Sequence, residues 1–149
     1  MITAATAPDV ARLRWQWARE TDPTLEPVVS PDFVKAVADW MADPIRSVWT
    51  TRIDAPGGPD VVGMVALTEY TRMPSPQSGG RWGYLGHLYV APHARGSSRG
   101  EGLVRHVVST ARVRGYRKVV LSPTIPSIPL YRRAGFAPAG GELMMLHLD

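Results

Sequence analysis

The stretch that decides the fold is residues 88–103, which read LYVAPHARGSSRGEGL. Its apolar start is typical of the end of a β-strand, which Ala91-Pro92 closes. A Gly/Ser/Arg loop follows, and Leu103, Val107 and Ala111 then recur on one face, which predicts a helix over residues 100–114. Unpaired N–H groups and the positive dipole end at the start of such a helix favour an anion. With the charges of Arg95 and Arg99 added, the stretch predicts a diphosphate site.

Two common phosphate-binding motifs do not fit this loop. The Walker pattern requires Gly-Lys-Ser/Thr at the end of the loop, and none is present. The dinucleotide fingerprint requires a last glycine where this chain has Arg105. ATP hydrolysis and NAD binding are therefore disfavoured.

The rest of the chain supplies helices and strands around this loop. Apolar residues at helical spacing predict amphipathic helices over residues 9–20 and 32–43, the second with Ser30 as N-cap. Segments rich in apolar and β-branched residues predict three strands that form an antiparallel meander, over 45–53, 61–70 and 82–90. A further strand over 118–122 is predicted to run parallel to the strand over 82–90. A short helix over 127–134 and a last strand over 142–148 complete the prediction. The fold class is α/β with mixed α+β character: a mixed central sheet, one βαβ crossover and flanking helices.

Composition limits the class of protein. The 149 residues fit a single domain, 1–149. There is no cysteine, hence no disulfide or thiolate zinc site, and no apolar run long enough to span a membrane, so we expect a cytoplasmic protein. Residues 1–92 carry eight Lys/Arg and ten Asp/Glu, whereas residues 93–149 carry nine and three. The positive charge of the C-terminal part favours a phosphate-bearing partner.

Two motifs resemble those of the GNAT superfamily of acetyl-CoA-dependent N-acetyltransferases. The first is Leu-x-Val-x-Pro followed by Arg-Gly-x-Gly-x-Gly-x-x-Leu, which residues 88–103 follow except that Ser98 replaces a glycine. The second is Asn-x-x-Ala-x-x-Leu-Tyr-x-x-x-Gly-Phe, matched by residues 130–136, with Thr124 and Ser127 in place of the asparagine and alanine. The resemblance implies a GNAT-type fold with acetyl-CoA as cosubstrate and an amine as acceptor.

The resemblance also implies roles for individual residues. The backbone of Leu88 and Val90 would hold the pantetheine arm between two splayed parallel strands. The loop would wrap the pyrophosphate through Arg95, Gly96, Ser97, Ser98, Arg99, Gly100 and Glu101, and Thr124 and Ser127 would lie along the cofactor. Tyr131 would protonate the departing thiolate. The same residues also have simpler explanations, as solvated arginines and a packing tyrosine.

The general base is not decided by the sequence. An alkylamine must lose a proton before it can attack, so a base is needed near Val90. His87, on the strand that would carry the acetyl group, and Glu69, at the end of the neighbouring strand, are the two candidates. The alternatives are a surface or hydrogen-bonded strand histidine for His87 and, as the commoner explanation for Glu69, an exposed carboxylate at the end of a strand. The histidines share no ligand spacing, and no metal is predicted.

The five tryptophans could line an acceptor site. Trp17 and Trp40 fall on apolar helix faces and are predicted to be core, whereas Trp15 lies off that face, where it is either exposed or beside the acceptor cleft. We predict direct transfer of acetyl from acetyl-CoA to a small-molecule or peptide amine, with no membrane partner and with a homodimer left open. The alternative is a non-catalytic acyl-CoA-binding or regulatory module. Nucleic-acid binding is third, because the basic residues lack interleaved exposed aromatics.

Overall fold

The computed structural model describes residues 1–77, 80–141 and 143–148. The elements, in chain order, are β1 Ile2–Ala4, α1 Ala7–Thr21, α2 Pro31–Met41, β2 Arg46–Ile53, β3 Asp60–Thr71, β4 Arg81–Val90, α3 Arg99–Val113, β5 Val119–Val120 and α4 Ile128–Arg133. In the described part of the chain, no helix is both long and apolar enough to cross a bilayer.

The first two helices begin at side-chain caps. The Thr6 hydroxyl accepts a hydrogen bond from the Asp9 N–H at 3.4 Å, and the Ser30 hydroxyl accepts one from the Phe33 N–H at 3.2 Å. A proline follows each cap within the first helical turn, where its missing N–H costs nothing. The predicted cap at Ser30 is confirmed.

The five strands form one mixed sheet in the order β1-β2-β3-β4-β5. The first four strands are antiparallel neighbours, whereas β5 runs parallel to β4 after the α3 crossover. The predicted meander and the parallel pairing are therefore confirmed. Helices α1 and α2 pack on one face of the sheet and α3 on the other, so buried side chains form two clusters, one on each face.

A β-bulge in β4 changes which face its side chains reach. Met64 pairs with Tyr89 and Ala66 with Gly86, so His87 and Leu88 together lie opposite one residue of β3. In a regular strand Leu85 and Tyr89 would point to the same face. Here Leu85 packs in the α3 cluster and Tyr89 in the cluster under α1. His87 accommodates the extra residue of the bulge with a positive φ of 55°.

At the ends of the chain, one predicted strand was wrong and one strand was not predicted. The last strand, predicted over 142–148, is absent: residues 143–148 form no strand, and Glu142 lies outside the described residues. The apolar side chains of that segment are exposed, with Leu143 and Leu148 both 91% accessible. At the other end, strand β1 was not predicted, because three residues are too few to show an alternating pattern. Strand β5 is also shorter than predicted, at two residues.

Candidate active site

A cleft of about 820 Å³ opens where β4 and β5 stop pairing. Their parallel register covers only Gly83 with Val119 and Tyr84 with Val120. Beyond that point the second half of β4 forms one wall, and a segment from Ser122 to α4 forms the other. The loop before α3 lies at one end of this space. We call this space the cofactor cleft. The candidate site residues from the sequence that line it are His87, Leu88, Val90, Arg95, Gly96, Ser98, Arg99, Gly100, Glu101, Thr124, Ser127 and Tyr131.

The loop before α3 exposes backbone donors to the cleft. Gly96 and Ser98 have φ of 82° and 63°, which turns the chain sharply into the helix. The first helical hydrogen bond runs from the Gly102 N–H to the Ser98 carbonyl at 3.0 Å, so the N–H groups of residues 99–101 have no intrahelical acceptor. These donors and the positive end of the 15-residue helix dipole make an anion site.

The two loop arginines make contacts with the protein itself. The Arg95 guanidinium donates to the Val90 carbonyl at 2.8 Å and to the Glu20 carboxylate at 3.0 Å. Arg99 donates to the Arg52 carbonyl at 3.4 Å. The Arg95 contacts tie the loop to the end of β4 and to α1, so this side chain positions the loop as well as adding charge.

Other polar groups of the loop are also paired. The Ser97 hydroxyl donates to the Ala94 carbonyl at 2.7 Å, and Ser97 does not line the cleft. Glu101 accepts from Arg133 at 2.7 Å and from Arg105 at 3.4 Å. The hydrogen bond from Arg133 is the main reason that the pKa of Glu101 lies below its usual value. These two cations offset a carboxylate that would otherwise repel a phosphate.

On the opposite wall, Thr124 and Ser127 bond to each other. The Thr124 hydroxyl donates to the Ser127 hydroxyl at 2.9 Å, which in turn donates to the Thr124 carbonyl at 2.8 Å. Both line the cofactor cleft. The pair stabilises the turn that leads into α4.

His87 lines two cavities at once. Besides the cofactor cleft it lines a second space, the apolar pocket, which lies between α1, α2 and the sheet and has Phe33, Trp40 and Met64 among its walls. The imidazole stands edge-on to the Trp40 ring, with centroids 5.6 Å apart. Loss of water around the ring, and then the nearby charge of Arg14, lowers the pKa of His87 below 6.5. A neutral imidazole at neutral pH can accept a proton.

Tyr131 reaches the cofactor cleft from α4. It is 8% exposed and packs edge-on against Phe136. Burial, and then the neighbouring Tyr84, raises the pKa of the Tyr131 phenol. The phenol therefore keeps its proton through the neutral range, as a proton donor must.

Glu69 does not reach either cavity. Its carboxylate accepts hydrogen bonds from the Tyr116 hydroxyl at 2.6 Å and from Arg81 at 3.3 Å. In the sheet, Glu69 lies opposite Gly83 of β4, three positions before Gly86 at the bulge. Neither the cofactor cleft nor the apolar pocket includes it among its walls. Of the two candidate bases, the structure brings only His87 to the cleft.

The tryptophans were predicted correctly only in part. Trp17 packs against the buried cluster under α1, as predicted, but it is half-buried and also lines the cofactor cleft. Trp40 was predicted to be core but is half-buried and lines the apolar pocket. Trp15 instead packs on Phe33 and donates to the Glu26 carbonyl at 2.6 Å. Arg133 was also missed, because its approach to Glu101 depends on how α4 packs beside α3.

Among the described residues, no group of three or more His, Asp or Glu side chains is arranged to hold a metal ion.

Comparison with known proteins gives one family and many similar structures. A family model described as the acetyltransferase (GNAT) family matches residues 10–136. A comparison with curated protein sequences found no match.

Three solved structures illustrate the likeness. An acetyltransferase from Trypanosoma brucei has a TM-score of 0.75 at 23% identity, with 99% of each chain covered. A predicted acetyltransferase with acetyl-CoA from Clostridium acetobutylicum has a TM-score of 0.72 at 19% identity, covering 98% of this chain and 95% of its own. A ribosomal-protein-alanine N-acetyltransferase from Brucella melitensis biovar Abortus 2308 has a TM-score of 0.71 at 22% identity, covering 99% and 98%. At these identities the structures show a shared fold.

Proposed function

Because the chain belongs to the acetyltransferase (GNAT) family, we propose that residues 1–149 act as one domain that transfers acetyl from acetyl-CoA to a primary amine in a direct ternary complex. The observation that carries this proposal is the lining of the cofactor cleft. A neutral imidazole, a protonated phenol and a helix N-terminus with free donors all face the same space.

The loop and α3 would bind the pyrophosphate of acetyl-CoA. The free N–H groups of residues 99–101 supply directed donors, while Arg99 and the Arg95-tethered loop supply positive charge. A glycine at position 100 suits this site, because a Cβ there would lie 3.3 Å from Leu130 Cδ1, a side chain that also lines the cleft. The thioester would then lie along the bulged part of β4, at Leu88 and Val90.

His87 and Tyr131 would divide the proton transfers between them. The amine nitrogen attacks the thioester carbonyl carbon, the N–C bond forms and the C–S bond breaks. His87, directly or through a water, takes the proton that the nitrogen loses, and Tyr131 gives a proton to the sulfur that leaves. The products are an N-acetyl amine and CoA with a free thiol, so no covalent enzyme intermediate is needed.

The test combines cofactor binding with turnover. CoA is titrated calorimetrically, and thiol release from acetyl-CoA is followed with a panel of amines that includes polyamines, amino acids and peptides. We expect saturable CoA binding and thiol release that depends on one acceptor class. CoA binding with no release for any amine would instead favour a non-catalytic acyl-CoA-binding module.

A further inference from the structure

The apolar pocket is large enough to hold one apolar side chain of a small ligand. Its volume is about 260 Å³, below the roughly 300–1,000 Å³ of drug-sized ligand sites but larger than a ~150 Å³ cavity that holds benzene. Its walls include Phe33, Val37, Trp40 and Met64. It therefore suits one ring or one branched aliphatic group.

The pocket joins the cofactor cleft through a single side chain. His87 lines both spaces, and the bulge at His87 and Leu88 is where they meet. A molecule whose apolar part fills the pocket would place its neighbouring atoms at the imidazole. An amine on those atoms would lie beside the base and face the thioester.

One charged side chain lines the pocket, and it is a cation. The Arg14 guanidinium stacks over the Trp17 ring at 4.8 Å, and in the described part of the chain it makes no ion pair and no hydrogen bond. The pocket has no carboxylate among its walls. Arg14 would attract an anionic group, whereas a polyamine would find no countercharge. A cation near the acceptor also favours the neutral form of its amine.

We propose that the acceptor is a free α-amino acid with an apolar side chain, which occupies the apolar pocket while its carboxylate pairs with Arg14 and its amine lies at His87. This inference rests on the proposed function, because it names the acceptor of the same reaction. The nitrogen of the amino acid forms the new N–C bond, its proton passes to His87, and the product is an N-acetyl amino acid.

The first test compares acceptors that differ in one group. Thiol release from acetyl-CoA is measured with L-phenylalanine, L-leucine, glycine, L-phenylalaninamide, 2-phenylethylamine and spermidine. Because burying a large apolar side chain and making a charged hydrogen bond are each worth about tenfold or more, we expect kcat/KM for phenylalanine or leucine to exceed that for the other four by at least about tenfold.

The second test uses paired variants. Arg14→Gln removes the charge, and Arg112→Gln, on the exposed side of α3, is its control. Ala36→Leu fills the pocket from the exposed face of α2, and Ala38→Leu places the same side chain on that helix outside the pocket. We expect Arg14→Gln to remove the preference for phenylalanine over phenylalaninamide, and Ala36→Leu to remove the preference for phenylalanine over glycine. Both controls should retain parental ratios.

The outcomes separate this inference from the function it rests on. Preferred acetylation of spermidine, glycine or phenylalaninamide, with CoA binding intact, would overturn the amino-acid acceptor but leave acetyl transfer standing; preference for the amide would point to peptide N-termini. If no amine is acetylated and L-phenylalanine does not raise the melting temperature of the CoA complex, the acceptor assignment is also overturned. Failure to bind CoA would overturn the proposed function itself.

Discussion

The cofactor cleft and the apolar pocket meet at His87 but are built in different ways. The anion-binding end of the cleft depends on local backbone: a bulged strand, a loop with two residues at positive φ, and the start of α3. The pocket is formed by side chains of α1 and α2 together with side chains of the strands beneath them, such as Val48 and Met64. A backbone site depends on local sequence, whereas a side-chain site depends on how distant elements pack.

This difference agrees with the proposed roles of the two cavities, one for a shared cosubstrate and the other for an individual acceptor. Positive φ and free N–H groups bind any phosphate in the same way. Some walls of the pocket, among them Phe33, Ala36 and Trp40, lie on α2 and can change without altering a strand of the sheet. Variants on each side of His87 can therefore separate binding of the cosubstrate from choice of acceptor.

The largest effect is expected at Tyr131. Tyr131→Phe retains the ring that packs on Phe136 and removes the proposed proton donor, so turnover should fall about 10²–10⁴-fold if thiolate departure limits the rate. CoA affinity should be unchanged. The measurement is steady-state thiol release beside a CoA titration. Tyr70→Phe, on an exposed tyrosine that stacks on Trp82, is the control. Parental turnover in the Tyr131 variant would mean that solvent protonates the thiolate.

A second prediction concerns His87 and pH. Since its pKa is lowered, the wild-type rate should fall with acidity only below about pH 6.5, as the ring gains the proton that stops it from acting as a base. His87→Asn tolerates the positive φ and should lower turnover by about 10²-fold, and it should remove that acidic limb. His93→Asn, on a histidine bonded to Asp60 outside both cavities, should leave the profile unchanged. An unaltered acidic limb in His87→Asn would assign the base to another group.

The sequence predicted the cleft far better than the pocket. The order of elements from α1 to α4, the parallel pairing and the residues at the start of α3 follow from hydrophobic periodicity and from the glycines and arginines of one loop. The bulge at His87 does not, because no glycine marks its positive φ. The distance of Glu69 from the cleft was not predicted either, because it depends on strand register. Glu69 lies opposite Gly83, where its carboxylate accepts hydrogen bonds from Tyr116 and Arg81. Trp40 looked like core because the periodicity of α2 cannot show a gap between helix and sheet.

A third prediction concerns the tether between the loop and the cleft. Arg95→Ala removes a cation and the bonds to Val90 and Glu20, so CoA affinity should fall at least severalfold, within the range of about 1.5–3 kcal/mol for hydrogen bonds to charged groups. Glu20→Gln retains Arg95 and weakens its tether to α1. If its CoA affinity falls as far as that of Arg95→Ala, Arg95 acts by positioning the loop. Calorimetric titration of both variants decides this, and parental affinity in Arg95→Ala would remove the residue from the site.

The smallest effect is expected at Ser98, which has φ of 63°. A non-glycine residue held in that region carries about 1–3 kcal/mol of backbone strain. Replacement by glycine relieves this strain, but part of the gain is offset because glycine has more conformational entropy in the unfolded chain. Ser98→Gly should therefore raise the melting temperature of the CoA-free protein by about 2–4 °C for each kcal/mol gained. Ser97→Gly is the matched control: Ser97 lacks a positive φ and its hydroxyl bonds to the Ala94 carbonyl, so that variant should melt lower than the parent. If both glycine variants lower the melting temperature, the loop is not strained at Ser98, and the serine is retained for contacts that glycine cannot make.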